Sequence, residues 1–138
     1  MKMYYNAGSD NHGCEAINRA PHQLFSERIQ LFSRDINEDR KYRLNDVVEL
    51  KEDKIKAIKK LSIKYLIAAA YCKLTKDEYW FVRFAHGEFF SNVKKDDICL
   101  SVGGDNYCYG GEDVLRHYNR AIHSKKGKTV LWGCSVEP

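Results

Sequence analysis

Ile98-Cys99-Leu100-Ser101-Val102-Gly103-Gly104-Asp105-Asn106 is the stretch on which the fold turns: a short apolar run of buried-strand character that ends in a glycine pair, Asp and Asn. After a second glycine pair, Gly110-Gly111, a helix is expected. Glu112 and Asp113 fall in its first turn, Val114, Leu115, Tyr118, Ala121 and Ile122 mark its inner face, and Lys125, Lys126 and Gly127 close it. Lys128-Thr129-Val130-Leu131-Trp132-Gly133 then reads as the next strand. Strand, glycine loop, helix and strand within about 40 residues form a βαβ unit, which predicts a parallel sheet with helices on its faces.

Working back from that unit, Met3-Tyr4-Tyr5 is a short β-prone run that stops at the loop Asn6-Ala7-Gly8-Ser9-Asp10-Asn11-His12-Gly13. A helix follows, with Glu15 in its first turn and Ala16, Ile17, Ala20, Leu24 and Phe25 as its apolar stripe. Pro21 costs about 3 kcal/mol inside a helix, so a kink or a later start is expected there. Arg28-Ile29-Gln30-Leu31-Phe32 alternates as a half-buried strand does, whereas Asp35 to Asp53 is charged and weakly periodic. Lys54 to Cys72 reads as one long helix through Ile55, Ile58, Leu61, Tyr65, Ala69 and Cys72, with a solvated lysine face. Tyr79 to Phe90, dense in aromatics, is expected to be helix packed on the sheet, with a strand as the alternative that Gly87 and the bulky residues leave open. Met3 to Tyr5, Arg28 to Phe32, Ile98 to Val102 and Thr129 to Trp132 should therefore be parallel strands of one open, Rossmann-like α/β sheet with flanking helices.

At 138 residues the chain is one domain or part of one. It stops at Glu137-Pro138, straight after a strand and without a covering helix, which reads as an incomplete domain or a missing partner half. The net charge of +4 is spread along the chain, which argues against a basic nucleic-acid arm. The longest apolar run, Leu61 to Cys72, contains Lys64 and falls short of the about 20 residues a transmembrane span needs, so it reads as a buried helix. Polar residues interrupt the N-terminus before a signal-like core forms, which points to a cytoplasmic protein. Five cysteines without a CxxC pair support neither a disulfide framework nor a zinc site; most read as reduced core residues. No metal is expected.

Gly8 to Gly13 and Gly103 to Asn106 each follow a predicted strand and precede a predicted helix. In open parallel sheets ligands bind beyond the carboxyl ends of the strands, where glycine admits close backbone approach and a helix N-terminus favours anions. The two loops should face one cleft. Neither spells GxGxxG or GxxxxGK[ST], so dinucleotide and P-loop readings are weak; a Rossmann nucleotide site would also need Asp35 as the acid at the second strand end. His12 is a candidate hydrogen-bond donor to a phosphate or proton carrier, or a capping or merely exposed residue. Glu15 and Arg19 have the spacing of a surface salt bridge. Asp105 and Asn106 suit sugar hydroxyls or a turn cap. His22, His86, His117 and His123 carry no ligand signal.

Taken together, the loops are familiar. Tyr5-Asn6-Ala7-Gly8-Ser9-Asp10-Asn11-His12-Gly13-Cys14-Glu15-Ala16-Ile17-Asn18-Arg19 resembles the N-terminal motif of the polysaccharide pyruvyl transferase family, which often runs G-S-x-N-H-G-C-E-A-I-x-R. Leu100 to Gly111 resembles the same family's strand and glycine loop, and Lys128 to Pro138 continues the similarity. The resemblance implies transfer of pyruvate from phosphoenolpyruvate to two sugar hydroxyls as a ketal, in cell-surface polysaccharide biosynthesis, with no further cofactor. It implies the N-terminal half of a GT-B-type two-domain transferase, whose second domain supplies much of the donor surface. The chain alone would then transfer no pyruvyl group.

On that reading His12 and Asp105 are the catalytic candidates. Ser9, Asn11, Gly13, Glu15, Arg19, Gly103, Gly104 and Asn106 are the substrate-binding ones, toward phosphoenolpyruvate and a sugar or glycan acceptor. The alternative is a truncated, non-catalytic module that binds a glycan or a partner through the same loops.

Overall fold

Five parallel strands carry the structure: β1 (Lys2–Asn6), β2 (Gln30–Ser33), β3 (Glu49–Glu52), β4 (Ile98–Val102) and β5 (Lys128–Trp132), in the spatial order β3-β2-β1-β4-β5. This is a computed structural model that describes residues 1–6, 8–104, 107–108 and 112–135. Between the strands run α1 (His12–Leu24), α2 (Ile36–Lys41), α3 (Ile63–Thr75), α4 (Tyr79–Ala85), α5 (Gly87–Asn92) and α6 (Glu112–Ser124), with a 3₁₀ turn at Leu44–Asp46.

Alternation along the central strands divides the core between the two faces of the sheet. Met3, Leu31, Leu100 and Val102 form one buried cluster with Leu44 and Val48, closed by Ile17 and Phe25 around α1. Tyr4, Phe32 and Cys99 form the other with Phe89 and Phe90 of α5 and Leu115, Tyr118, Ala121 and Ile122 of α6. The four expected strands are present, and the parallel α/β architecture is that of a Rossmann-like open sheet. The inner face read for the last helix is also there, with Leu115, Tyr118, Ala121 and Ile122 buried.

The sheet has a fifth strand that the sequence reading lacked. β3 lies at the edge on β2, from Gln30↔Glu49 to Ser33↔Glu52, and each of its residues is half-buried, so its sequence shows no apolar alternation. The long helix expected over Lys54 to Cys72 is shorter and later. Residues 54–59 have no regular structure, and α3 begins only after Ser62, whose side chain caps the helix by accepting from the Tyr65 N–H. Nor is α3 a buried helix, since only Ala68 of its residues is buried. Tyr79 to Phe90 is helical, but in two short pieces that meet at His86. Of the cysteines, all free, only Cys99 is buried and the other four are half-buried, so the core role expected for most of them is confined to one. Burial pushes the Cys99 thiol up to about 12.

Pro21 neither delays α1 nor ends it. The helix runs through it to Leu24, because the carbonyl that Pro21 cannot serve, Ile17 O, accepts the indole N–H of Trp132 at 3.0 Å. Proline thus leaves open a docking point for the last strand.

At the other end of the sheet, Lys2 Nζ and the Lys94 N–H both donate to Asp97 Oδ2, each at 2.6 Å, tying β1 to the turn before β4. Burial pushes the Asp97 carboxyl up, but the two donors outweigh it and hold the group below the usual carboxylate range. A carboxylate held lower in the folded than in the unfolded chain stabilises the fold above its unfolded value, and that contribution is lost as pH falls through the folded one. Asp97→Asn is expected to lose about 1–2 kcal/mol at neutral pH and to flatten the acid limb of the stability curve below about pH 4. Denaturant unfolding of both proteins, at neutral pH and at acid pH, checks this; an acid limb unchanged by the substitution contradicts it.

Candidate functional site

The strand order reverses at β1: the chain moves from β1 outward through β2 to β3, then returns to place β4 on the other side of β1 and β5 beyond it. The loops that leave β1 and β4 therefore emerge side by side at the carboxyl edge, where open α/β sheets form their ligand crevice.

The first loop is held by a buried polar network. Asp39, fully buried on α2, accepts from Ser9 Oγ and, at 3.2 and 3.0 Å, from Asn6 Nδ2, while Asn18 of α1 donates to Asn6 Oδ1 at 3.0 Å. Gly8 has φ +132°, and a Cβ there would stand 2.3 Å from Glu38 Oε1, which also accepts the Asp10 N–H at 2.6 Å. Asn11 caps α1 by accepting from the Gly13 N–H at 2.9 Å. His12, the first residue of α1, is exposed, with Nδ1 3.2 Å from Glu15 Oε2 and its ring edge-on to Tyr42.

Hydrogen bonds from Arg19 (Nε to Glu15 Oε1, 2.8 Å) and from His12 hold the Glu15 carboxyl below its usual range. Arg19 also donates from Nη2 to the Tyr42 carbonyl. Both of its contacts are internal, so the one cation expected here for an anion is already engaged. With Asp10, Glu15 and Glu38 around it, this loop presents carboxylate and imidazole groups, which suit hydroxyl groups better than a bare phosphate.

The second loop starts at Gly103, with φ +132°, and Gly104, where an added Cβ would meet nothing within 4 Å. Gly104 O accepts the Ser135 N–H at 2.6 Å, and Tyr107 OH donates to Ser101 Oγ at 3.0 Å. Ser135, beyond β5, is thereby drawn against the loop. Asp105 and Asn106, and the glycine pair Gly110-Gly111, lie outside the described residues.

Ser9, Asn11, His12, Gly13, Glu15 and Arg19 are thus brought together at the end of β1, and Gly103 and Gly104 at the end of the neighbouring strand. Of these, Ser9 is buried and bonded to Asp39, which makes it a support of the loop rather than a surface for ligand. Asp35, the acid considered for a nucleotide ribose, caps α2 by accepting from the Glu38 N–H at 2.9 Å.

A further cluster at the same edge carried no signal in the sequence. Asp53, directly after β3, is buried; its Oδ2 accepts from Tyr118 OH at 3.0 Å and lies 3.2 Å from His86 Nδ1, and its Oδ1 has no hydrogen-bond partner among the described residues. Burial, then the nearby Asp53, push the Tyr118 hydroxyl far up, so it stays protonated and donates. Tyr118 meets the edge of Tyr5, whose φ of +69° is a strained backbone for a bulky residue, and Arg34 lies over the Tyr5 ring at 4.1 Å. Arg34 is exposed and has no carboxylate partner among the described residues, which makes it a free cation at the strand ends. Among the described residues no three His, Cys, Asp or Glu side chains converge as a metal site.

Comparisons with protein-family models, curated proteins and solved structures give no match to this chain.

Proposed function

We propose that the chain is a polysaccharide pyruvyl transferase-like domain, acting on phosphoenolpyruvate and the hydroxyls of a sugar. The observation that carries this reading is the juxtaposition of its two motif loops: Gly8 to Gly13 and Gly103-Gly104 leave adjacent strands at the point where strand order reverses. The remainder of the resemblance, a second domain of a GT-B-type enzyme closing over that edge, belongs to the same proposal.

The chemistry divides between the two sides of the edge. Protonation of the enol methylene carbon leaves an oxocarbenium-like carbon; one sugar hydroxyl adds to it, phosphate departs, and the second hydroxyl closes the ketal. One hydroxyl proton balances the new methyl group and the other leaves with phosphate. On the β1 side the proposal gives the hydroxyl proton to His12, whose Nδ1 lies 3.2 Å from Glu15 Oε2. Arg34 and the amides of Gly103 and Gly104 are the groups suited to the donor's phosphate and carboxylate.

A second reading, a non-catalytic glycan-binding module, is favoured by one observation: Glu38 already occupies the β1 loop that an anion would need. Calorimetric titration with phosphoenolpyruvate and with a panel of galactosides and hexosamines separates the two. The proposal expects both ligands to bind. Arg34→Ala should then weaken the donor about tenfold or more and leave the sugar unchanged, the loss expected for one charge-assisted contact. Sugar binding without any donor binding selects the second reading, and binding of neither sinks both.

A further inference from the structure

The outward face of α3, which packs on α4, is apolar where the exposed side of a surface helix is ordinarily polar. Ile63, Leu66, Ile67 and Leu74 recur at the spacing of one helical face and are 78%, 51%, 47% and 84% exposed, with Leu61 just before them 80% exposed. The opposite face, through Tyr65, Ala68 and Cys72, turns toward the protein. Lys64 and Lys73 flank the apolar face on its two sides, since they fall at about +100° and −80° from Ile63 on a 3.6-residue turn.

The charge around this face has one sign. Residues 54–76 contain seven lysines and no Asp or Glu. Lys54 and Lys56 are paired with Glu52 and Glu88, but Lys59, Lys60, Lys64, Lys73 and Lys76, all exposed, have no carboxylate partner among the described residues.

We propose that this face rests on an anionic lipid surface, with α3 parallel to it, the leucines and isoleucines entering the headgroup boundary and the lysines meeting the lipid phosphates. The composition is that of an interfacial helix, apolar on one side and basic at its margins. At 13 residues α3 is too short to span the about 30 Å hydrocarbon core, and among the described residues no helix is long and apolar enough to cross a membrane.

Two features favour lipid over a protein occupant. A second copy docked by the same face would set seven lysines against seven lysines with no acidic residue in the segment to separate them. The protruding side chains also line neither of the grooves beside the helix, which are formed by Ile55, Ile58, Tyr65 and Phe84 among others, so they stand as separate posts rather than as a shaped pocket. Such posts fit a fluid, unpatterned medium. The inference is independent of the pyruvyl-transfer reading.

Flotation of the purified chain with vesicles of phosphatidylcholine, alone or with about 30 mol % phosphatidylglycerol, tests it. Partition into the anionic vesicles is expected to exceed that into neutral ones by about tenfold or more, and to weaken in about 0.5 M salt. Ile67→Glu with Leu74→Glu should abolish it, and Lys64→Glu with Lys73→Glu should reduce it about tenfold. Both pairs of sites are exposed, and far-UV circular dichroism confirms that the variants are folded. Equal partition into both vesicle types, or into neither, overturns the proposal. So does a concentration-dependent dimer, seen by sedimentation, that the Ile67 and Leu74 substitutions dissolve while vesicles remain unbound. Binding to polyglutamate as tight as to vesicles, insensitive to the apolar substitutions, overturns it in favour of an acidic protein partner.

Discussion

Asp39→Ala is expected to destabilise the protein by about 2–5 kcal/mol, because it leaves the buried donors Asn6 Nδ2 and Ser9 Oγ without an acceptor, at about 1–3 kcal/mol for each orphaned group. The same side chain fixes the course of the β1 loop, since Ser9 is held by it at 0% exposure. Ligand binding at Gly8 to Gly13 should therefore fall by more than the loss of folded protein accounts for. Asp39→Asn keeps an acceptor oxygen and should recover part of the stability. Urea unfolding of the three proteins, with ligand affinity measured well below each midpoint, separates the two effects; an Asp39→Ala variant within about 0.5 kcal/mol of the parent contradicts the network.

Phe89→Ala should cost about 3–5 kcal/mol, the range for emptying a fully buried aromatic site. Its ring is 5.0 Å from Phe32, 5.2 Å from both Tyr4 and Phe90, and 5.5 Å from Tyr118, so it joins β1 and β2 to α5 and α6. For a domain whose whole stability is about 5–15 kcal/mol, that loss shifts the denaturant midpoint by a large fraction. Phe89→Leu retains most of the volume and should recover much of it. A stability loss of less than about 1 kcal/mol for Phe89→Ala would show that the aromatic cluster does not carry this face of the core.

The parts of the fold that were legible in the sequence are those specified locally. β1, β4 and β5 are short β-prone runs, and α6 combines acidic first-turn residues with a clean inner stripe. β3 was not legible because Glu49-Leu50-Lys51-Glu52 sits at an edge with no buried position, and pairing with β2 rather than an apolar pattern makes it a strand. Residues 54–59 misled in the opposite direction. Ile55 and Ile58 continue a helical apolar spacing, yet they line a groove of about 430 Å³ in irregular chain. The cap at Ser62 marked the true start of α3.

The candidate site divides in the same way. The β1 and β4 loops announced themselves through glycine, asparagine and their position between strand and helix. Asp53, His86 and Tyr118 did not, because they meet only through the tertiary fold: Asp53 is 33 residues from His86 and 65 from Tyr118, and no spacing encodes that contact. Arg19 shows the limit of a motif read without its neighbours. Its spacing from Glu15 predicted the salt bridge that is present, whereas the substrate contact implied by the resemblance finds its donors taken by Glu15 and the Tyr42 carbonyl.

The central claim is that ligand binds where the β1 and β4 loops leave the sheet, and amide chemical-shift mapping tests it most directly. A ¹⁵N-labelled sample is titrated first with a galactoside or hexosamine and then with phosphoenolpyruvate. The account predicts the largest changes at the amides of Gly8, Ser9, Asp10 and Gly13 for the sugar, and at Gly103, Gly104 and Arg34 for the donor. Changes confined to the groove beside Ile55 and Tyr65, or no changes at either loop at saturating ligand, would contradict it.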